Sequence, residues 1–148
     1  ESVHTLKLLE DIVDIYMPDI KYSNNQIAQR YSGAKDYWTV VQAAVKEMHR
    51  QVGNLVCDER DIARRGLLIR HLVLPNGIGG SRAVLDFIAT EISLDSHVNI
   101  MDQYHPSYRA QKIPELNRLI DVREYDEVVE YARHAGLHRT SHVPSARI

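Results

Sequence analysis

The sequence predicts an α/β protein: a partial (βα) barrel of TIM type, with parallel strands inside and helices outside, in a single domain over residues 1 to 148. Three observations predict it. Strand-like apolar runs alternate with segments of helical periodicity, the pattern of right-handed crossovers on a parallel sheet. Residues 67 to 74 are nearly all apolar, as in a strand buried on both faces. In two of the strands ionisable residues stand at the C-terminal end, where barrels place their chemistry. A complete barrel takes about 250 residues. Three barrel-type strands stand out here, so the chain reads as part of a barrel.

The elements follow in order. A first helix is expected at residues 4 to 11 and a strand at 13 to 20. The stretch "NNQIAQRY" reads as a short helix ending near Gly33. An Asp36 cap then opens a longer helix, in which Trp38, Val41, Val45, Met48 and Val52 repeat at three and four residues, and Gly53 closes it. "NLVCDERDIARRG" suggests two short strands about a polar turn at residues 58 to 61. After the strand at 67 to 74, Ser81 is expected to cap a helix with a Val84, Leu85, Ile88, Ile92 stripe. "HVNIMDQYHP" reads as a third strand. A short segment from Pro114 leads to a last helix with an Asp121 and Glu124 capping box and Gly136 as its stop. "LHRTSHV" either begins a final strand or frays.

Composition limits the function classes. With 44% hydrophobic and 26% charged residues and a net charge of −2, the chain has a globular profile and buries roughly two thirds of its unfolded surface. No apolar run approaches the ~20 residues of a membrane span. The start, "ESVHTLKLLED", has neither Met nor a signal-peptide pattern and reads as the boundary of an excised fragment. The balanced charge gives no electrostatic case for nucleic acid or an anionic membrane. Small molecules and protein partners remain. Cys57, the sole cysteine, rules out an intrachain disulfide and a multi-cysteine metal site, and suits a reducing cytoplasm.

Polar residues collect on one parity of each strand. "DIYMPDIKY" places Ile15, Met17, Asp19 and Lys21 on one side; the second strand places Leu68, Arg70, Leu72 and Leu74; the third, Asn99, Met101, Gln103 and His105. If that parity points inward, the charges converge at the mouth of the sheet. Arg70 lies deeper, and a buried guanidinium needs a partner, so either Asp19 or a bound anion should meet it. The alternative is an Asp19 pair with Lys21 or Arg70 that merely closes a barrel end.

Weaker signals accompany these. "NGIGGSR" before a helix offers amides to an anion but lacks dinucleotide-loop spacing, and a tight turn explains its glycines. His134, His138 and His142 are spaced by four, yet Gly136 interrupts them, which argues against a metal site. Cys57, flanked by Asp58 and Glu59, sits in a neighbourhood unfavourable to a reactive thiolate.

Taken in order, "YMPDIKY", "GLLIRHLVLPNGIGG" and "VNIMDQYHP", each followed by a helix, resemble the C-terminal part of radical S-adenosylmethionine proteins of the pyruvate formate-lyase activating enzyme type, over residues 8 to 139. The resemblance implies a partial (βα)6 barrel. It implies a [4Fe-4S] cluster on a CxxxCxxC loop, reductive cleavage of S-adenosylmethionine to a 5′-deoxyadenosyl radical, and a glycyl-radical enzyme as partner. It also implies that Lys21 and Arg70 meet the methionine and ribose portions of the cofactor, with Asp19 beside them, and that Tyr104 and His105 lie near the adenine. The chain has no CxxxCxxC motif, so the resemblance implies a fragment inactive by itself, with at most weak cofactor affinity. Its first strand should present an open edge for self-association or for a covering terminus. Two alternatives stand beside it: a Schiff-base lyase or aldolase using Lys21, and a non-catalytic docking module.

Overall fold

The computed structural model describes residues 2–141. The chain runs α1 (Val3–Lys7), β1 (Ile15–Tyr16), β2 (Asp19–Ile20), α2 (Asn25–Ser32), α3 (Tyr37–Val52), β3 (Val56–Cys57), β4 (Ala63–Leu72), α4 (Ser81–Phe87), β5 (His97–Met101), α5 (Val122–His134) and β6 (Thr140–Ser141). It is an α/β fold around a six-stranded sheet in the order β1–β4–β5–β6, with β2 and β3 also paired to β4. All pairings are parallel except the antiparallel β3–β4. The sheet is not closed.

Several elements differ from the sequence expectation. The first strand is split in two, because Pro18 has no N–H to continue the ladder; its carbonyl still accepts from Arg70 N at 2.9 Å. The first helix is a short one, Val3–Lys7. Residues 63 to 72 form one continuous strand through Gly66, so the second short strand and the long one are a single element. The third strand ends at Met101, which leaves Gln103, Tyr104 and His105 in the loop beyond. Asp36 occupies the N-cap position of α3 but its carboxylate accepts no cap hydrogen bond; Asn25 Oδ1 accepts from Trp38 N instead, at 2.7 Å. Gly80, not Ser81, is the N-cap of α4. The Asp121–Glu124 capping box is present, and "LHRTSHV" does begin a strand, β6.

Side-chain alternation gives the sheet two unlike faces. Tyr16, Ile20, Leu67, Ile69, Val73, Val98 and Ile100 point to the side covered by α1, α3, α4 and α5, and form the main core with Leu6, Val45, Met48, Leu85 and Val129. A fully buried Leu or Ile of this kind stabilises by roughly 1.5–3 kcal/mol. The opposite parity is more open, although near its end Leu72 and Leu74 pack against Ile27, Ala28 and Tyr31 of α2. Ile15 and Met17 are exposed, and Leu68, Arg70, Leu72 and Asn99 half-buried. The strand expected to be buried on both faces is therefore fully buried on one and half-buried on the other.

Candidate functional site

Strand pairing brings the predicted polar residues together. Parallel register places Asp19 beside Arg70, and Arg70 beside Asn99, on the more open face. Arg70 Nε donates to Asp19 Oδ1 at 2.6 Å, and Lys21 Nζ lies 3.7 Å from Asp19 Oδ2. Of the two partners the sequence allows for Arg70, Asp19 is the one present. One carboxylate between two cations leaves a net charge of +1. Arg70 is about a third exposed, so the pair adds at most about 1 kcal/mol to stability. Its guanidinium uses only Nε in a hydrogen bond among the described residues. The terminal nitrogens, a planar fork suited to a carboxylate, remain for another acceptor.

Two further residues hold this corner in place. The Tyr37 hydroxyl donates to Asp19 O at 3.3 Å and accepts from Lys21 N at 2.9 Å. Those are the two groups on either side of Ile20 that a parallel neighbour strand would engage through one of its residues. Tyr37 thus stands in for a strand at the outer edge of β2. Its ring meets Tyr22 edge to face at 5.6 Å, and burial pushes its hydroxyl pKa up, against the smaller opposing effect of the Lys21 N–H.

On the covered face, His71 pairs with Ile20 and is wholly buried. Its Nδ1 lies 2.7 Å from Ile20 O and its Nε2 2.8 Å from Ser81 Oγ. A carbonyl only accepts, so Nδ1 carries the proton and the Ser81 hydroxyl donates to Nε2. Burial pushes this imidazole down to about 4, and it is neutral near pH 7. The bridge ties the end of β2 to the start of α4. Next to it, Ser23 N donates to Gly79 O, and a Cβ on Gly79 would stand 2.9 Å from Lys21 O. Close approach of two strand-end loops, as well as a tight turn, therefore requires the glycines of "NGIGGSR". The loop is no anion cradle. Ile78 N and Gly80 N bond within it, and Asn76 N donates to the Glu124 carboxylate at 2.6 Å.

Tyr104 and His105 do not join the Asp19 cluster. Tyr104 donates to Leu116 O at 2.9 Å, and both residues line a separate cleft toward the C-terminal end of α2. Gln103 turns back to Met101 Sδ. His134 bonds Glu130 O, and His138 lies 3.3 Å from Asp95; His142 is outside the described residues. Among the described residues, no group of three His, Cys, Asp or Glu side chains is placed to hold a metal ion. No helix among them is long and apolar enough to cross a membrane.

Sequence reasoning missed Tyr37, His71 and Ser81 as site-positioning residues. His71 did leave a signal, as a lone titratable residue on the apolar parity of a strand. Tyr37 left none, because its role depends on how α3 packs against β2.

Comparison with known proteins adds one relative. The chain is 32% identical over 137 residues to MJ0674 of Methanocaldococcus jannaschii, an uncharacterized protein, and the match covers 92% of this chain. The chain spans 36% of that protein's length. No protein-family model matches, and no solved structure does.

Proposed function

We propose that this chain supplies the S-adenosylmethionine-contacting strand ends of a radical S-adenosylmethionine protein of the activating-enzyme type, built as a partial (βα) barrel and working in a reducing cytoplasm. The observation that carries the reading is the Asp19–Arg70–Lys21 cluster toward the C-terminal ends of adjacent parallel strands, on the more open face of the sheet. Its donor set fits the cofactor. The free fork of Arg70 suits the methionyl carboxylate, and Asp19 with Lys21 suits an ammonium and ribose hydroxyls. Tyr37 and the His71–Ser81 bridge keep these side chains in register. The assignment of Tyr104 and His105 to the adenine rests on the resemblance.

When bound and reduced by a [4Fe-4S] cluster, the cofactor supplies a 5′-deoxyadenosyl radical. The cluster does not fit this chain, because Cys57 cannot provide three thiolates. What the chain's own residues do is bind and orient. The partner in this reading is a glycyl-radical enzyme, and the open edge at Ile15 and Met17 is a surface for self-association.

The Schiff-base alternative is less well supported. Lys21 stands in an ion pair with Asp19, and that same carboxylate takes up the charge of Arg70 that would otherwise activate an amine. Borohydride reduction in the presence of carbonyl substrates separates the two: the cofactor reading expects no adduct on Lys21, and a trapped adduct would overturn it.

A further inference from the structure

Residues 102–121, which join β5 to α5 and carry Tyr104 and His105, hold the 3-10 turn Tyr108–Lys112 and otherwise run as loop. A connection this long keeps one shape only where tertiary contacts pin it. The pin here is Asn76, in the turn that follows β4. Its φ is 59°, left-handed, between Pro75 and Gly77. Glycine takes that conformation at less cost, so an asparagine there is explained by its carboxamide, and both ends of the carboxamide are used. Nδ2 donates to Glu115 O at 2.8 Å, and Oδ1 accepts from Arg118 Nη2 at 2.8 Å. The Asn76 N–H donates to Glu124, whose carboxylate also accepts from both terminal nitrogens of Arg118. The segment so held, residues 115–118, presents Leu116 O to the Tyr104 hydroxyl at 2.9 Å. Tyr104 also packs on the cluster of Tyr22, Ala28 and Leu74, the last of these two residues before Asn76.

We infer that Asn76 is a positioning residue: its carboxamide fixes the 115–118 segment to the end of β4 and, through Leu116 O and the Tyr104 hydroxyl, sets Tyr104 and His105 relative to the strand that carries Arg70. What those two residues meet, the adenosyl portion of the cofactor, rests on the reading above; Asn76 acts through Tyr104 and not by contact with the ligand. A second hold comes from α2, where Arg30 and Tyr31 both donate to the Glu115 carboxylate at 2.9 Å. Loss of the Asn76 carboxamide therefore loosens the segment without releasing it.

The test is Asn76→Gly, which keeps the φ and the N–H to Glu124 and deletes only the carboxamide. In the ligand-free chain, amide hydrogen exchange followed by NMR should quicken on the order of tenfold at Ile113 and Leu116, whose N–H groups bond within the loop, and stay as in the wild type through β4 and α5. Titration with S-adenosylmethionine separates positioning from stability. The variant should bind roughly fivefold or more weakly, with the shifts at Lys21 and Arg70 kept at saturation and those at Tyr104 and His105 reduced. Unchanged exchange at both amides overturns the inference, as does faster exchange spread evenly through β4 and α5. A wild type that shifts at all four residues and a variant that matches it overturn the positioning role alone. A wild type without shifts at Lys21 and Arg70 overturns the cofactor reading, and one that shifts there but not at Tyr104 and His105 overturns the adenine assignment; the positioning role falls with either.

Discussion

His71 should make the protein acid-sensitive in a defined window. In the folded chain the imidazole is wholly buried, donates to Ile20 O and accepts from Ser81, and its pKa falls from 6.5 to about 4. Unfolded, it titrates near 6.5. A depressed folded pKa means that the unfolded chain binds the proton first. The stabilisation is therefore fully present above pH 6.5, is lost as pH falls from 6.5 toward 4, and changes no further below that. Linkage gives a loss of about 2 kcal/mol between pH 7 and pH 5. His97, also lowered chiefly by burial, adds to the slope with the same sign, so the comparison must cancel it. Urea unfolding of the wild type and of His71→Asn at the two pH values does so, since His97 is common to both. The wild type should lose about 2 kcal/mol more than the variant over that interval. Equal losses would refute the reasoning, as would an NMR titration placing the His71 pKa near 6.5.

Two more predictions concern the scaffold. Tyr37→Phe removes the hydroxyl that serves Asp19 O and Lys21 N. It should cost about 1–2 kcal/mol in urea unfolding and raise the concentration-dependent fraction of dimer in sedimentation, because it re-opens a strand edge; an unchanged stability would contradict the stand-in role. Gly66→Ala should destabilise more strongly, on the order of 3 kcal/mol, since φ is 122° and a Cβ would overlap the Asn54 carbonyl. Thermal unfolding checks it, and a neutral effect would show that the segment before β3 can move away from β4 at that point.

The parts of the fold that were legible in sequence are those with local causes. The Asp121–Glu124 capping box, the Gly33 and Gly53 stops and the apolar stripes of α3 and α5 all depend on neighbours within one or two turns, and they stand where the pattern placed them. The meeting of Asp19 with Arg70 was legible too, because parity and strand order restrict what a deep guanidinium can reach. What the sequence concealed is set by tertiary contacts. Alternation of Leu68, Arg70 and Leu72 with Ile69 and His71 does not say which face is the more deeply buried. Ser81 looks like a cap until His71 claims its hydroxyl, and the extent of the third strand depended on where β5 loses its partner β4, not on the apolar run. Tyr104 and His105 follow a strand pattern, but the chain has left the sheet by then.

The most direct test of the central claim is a titration of S-adenosylmethionine into this chain, followed through backbone amide signals by heteronuclear NMR, which detects weak binding. Saturable shifts confined to the segments around Asp19, Lys21 and Arg70, abolished in Arg70→Ala while the fold is kept, are the predicted result. Absence of shifts there, or shifts that persist unchanged in Arg70→Ala, would contradict the assignment and leave the cluster as an ion pair that closes one end of the sheet.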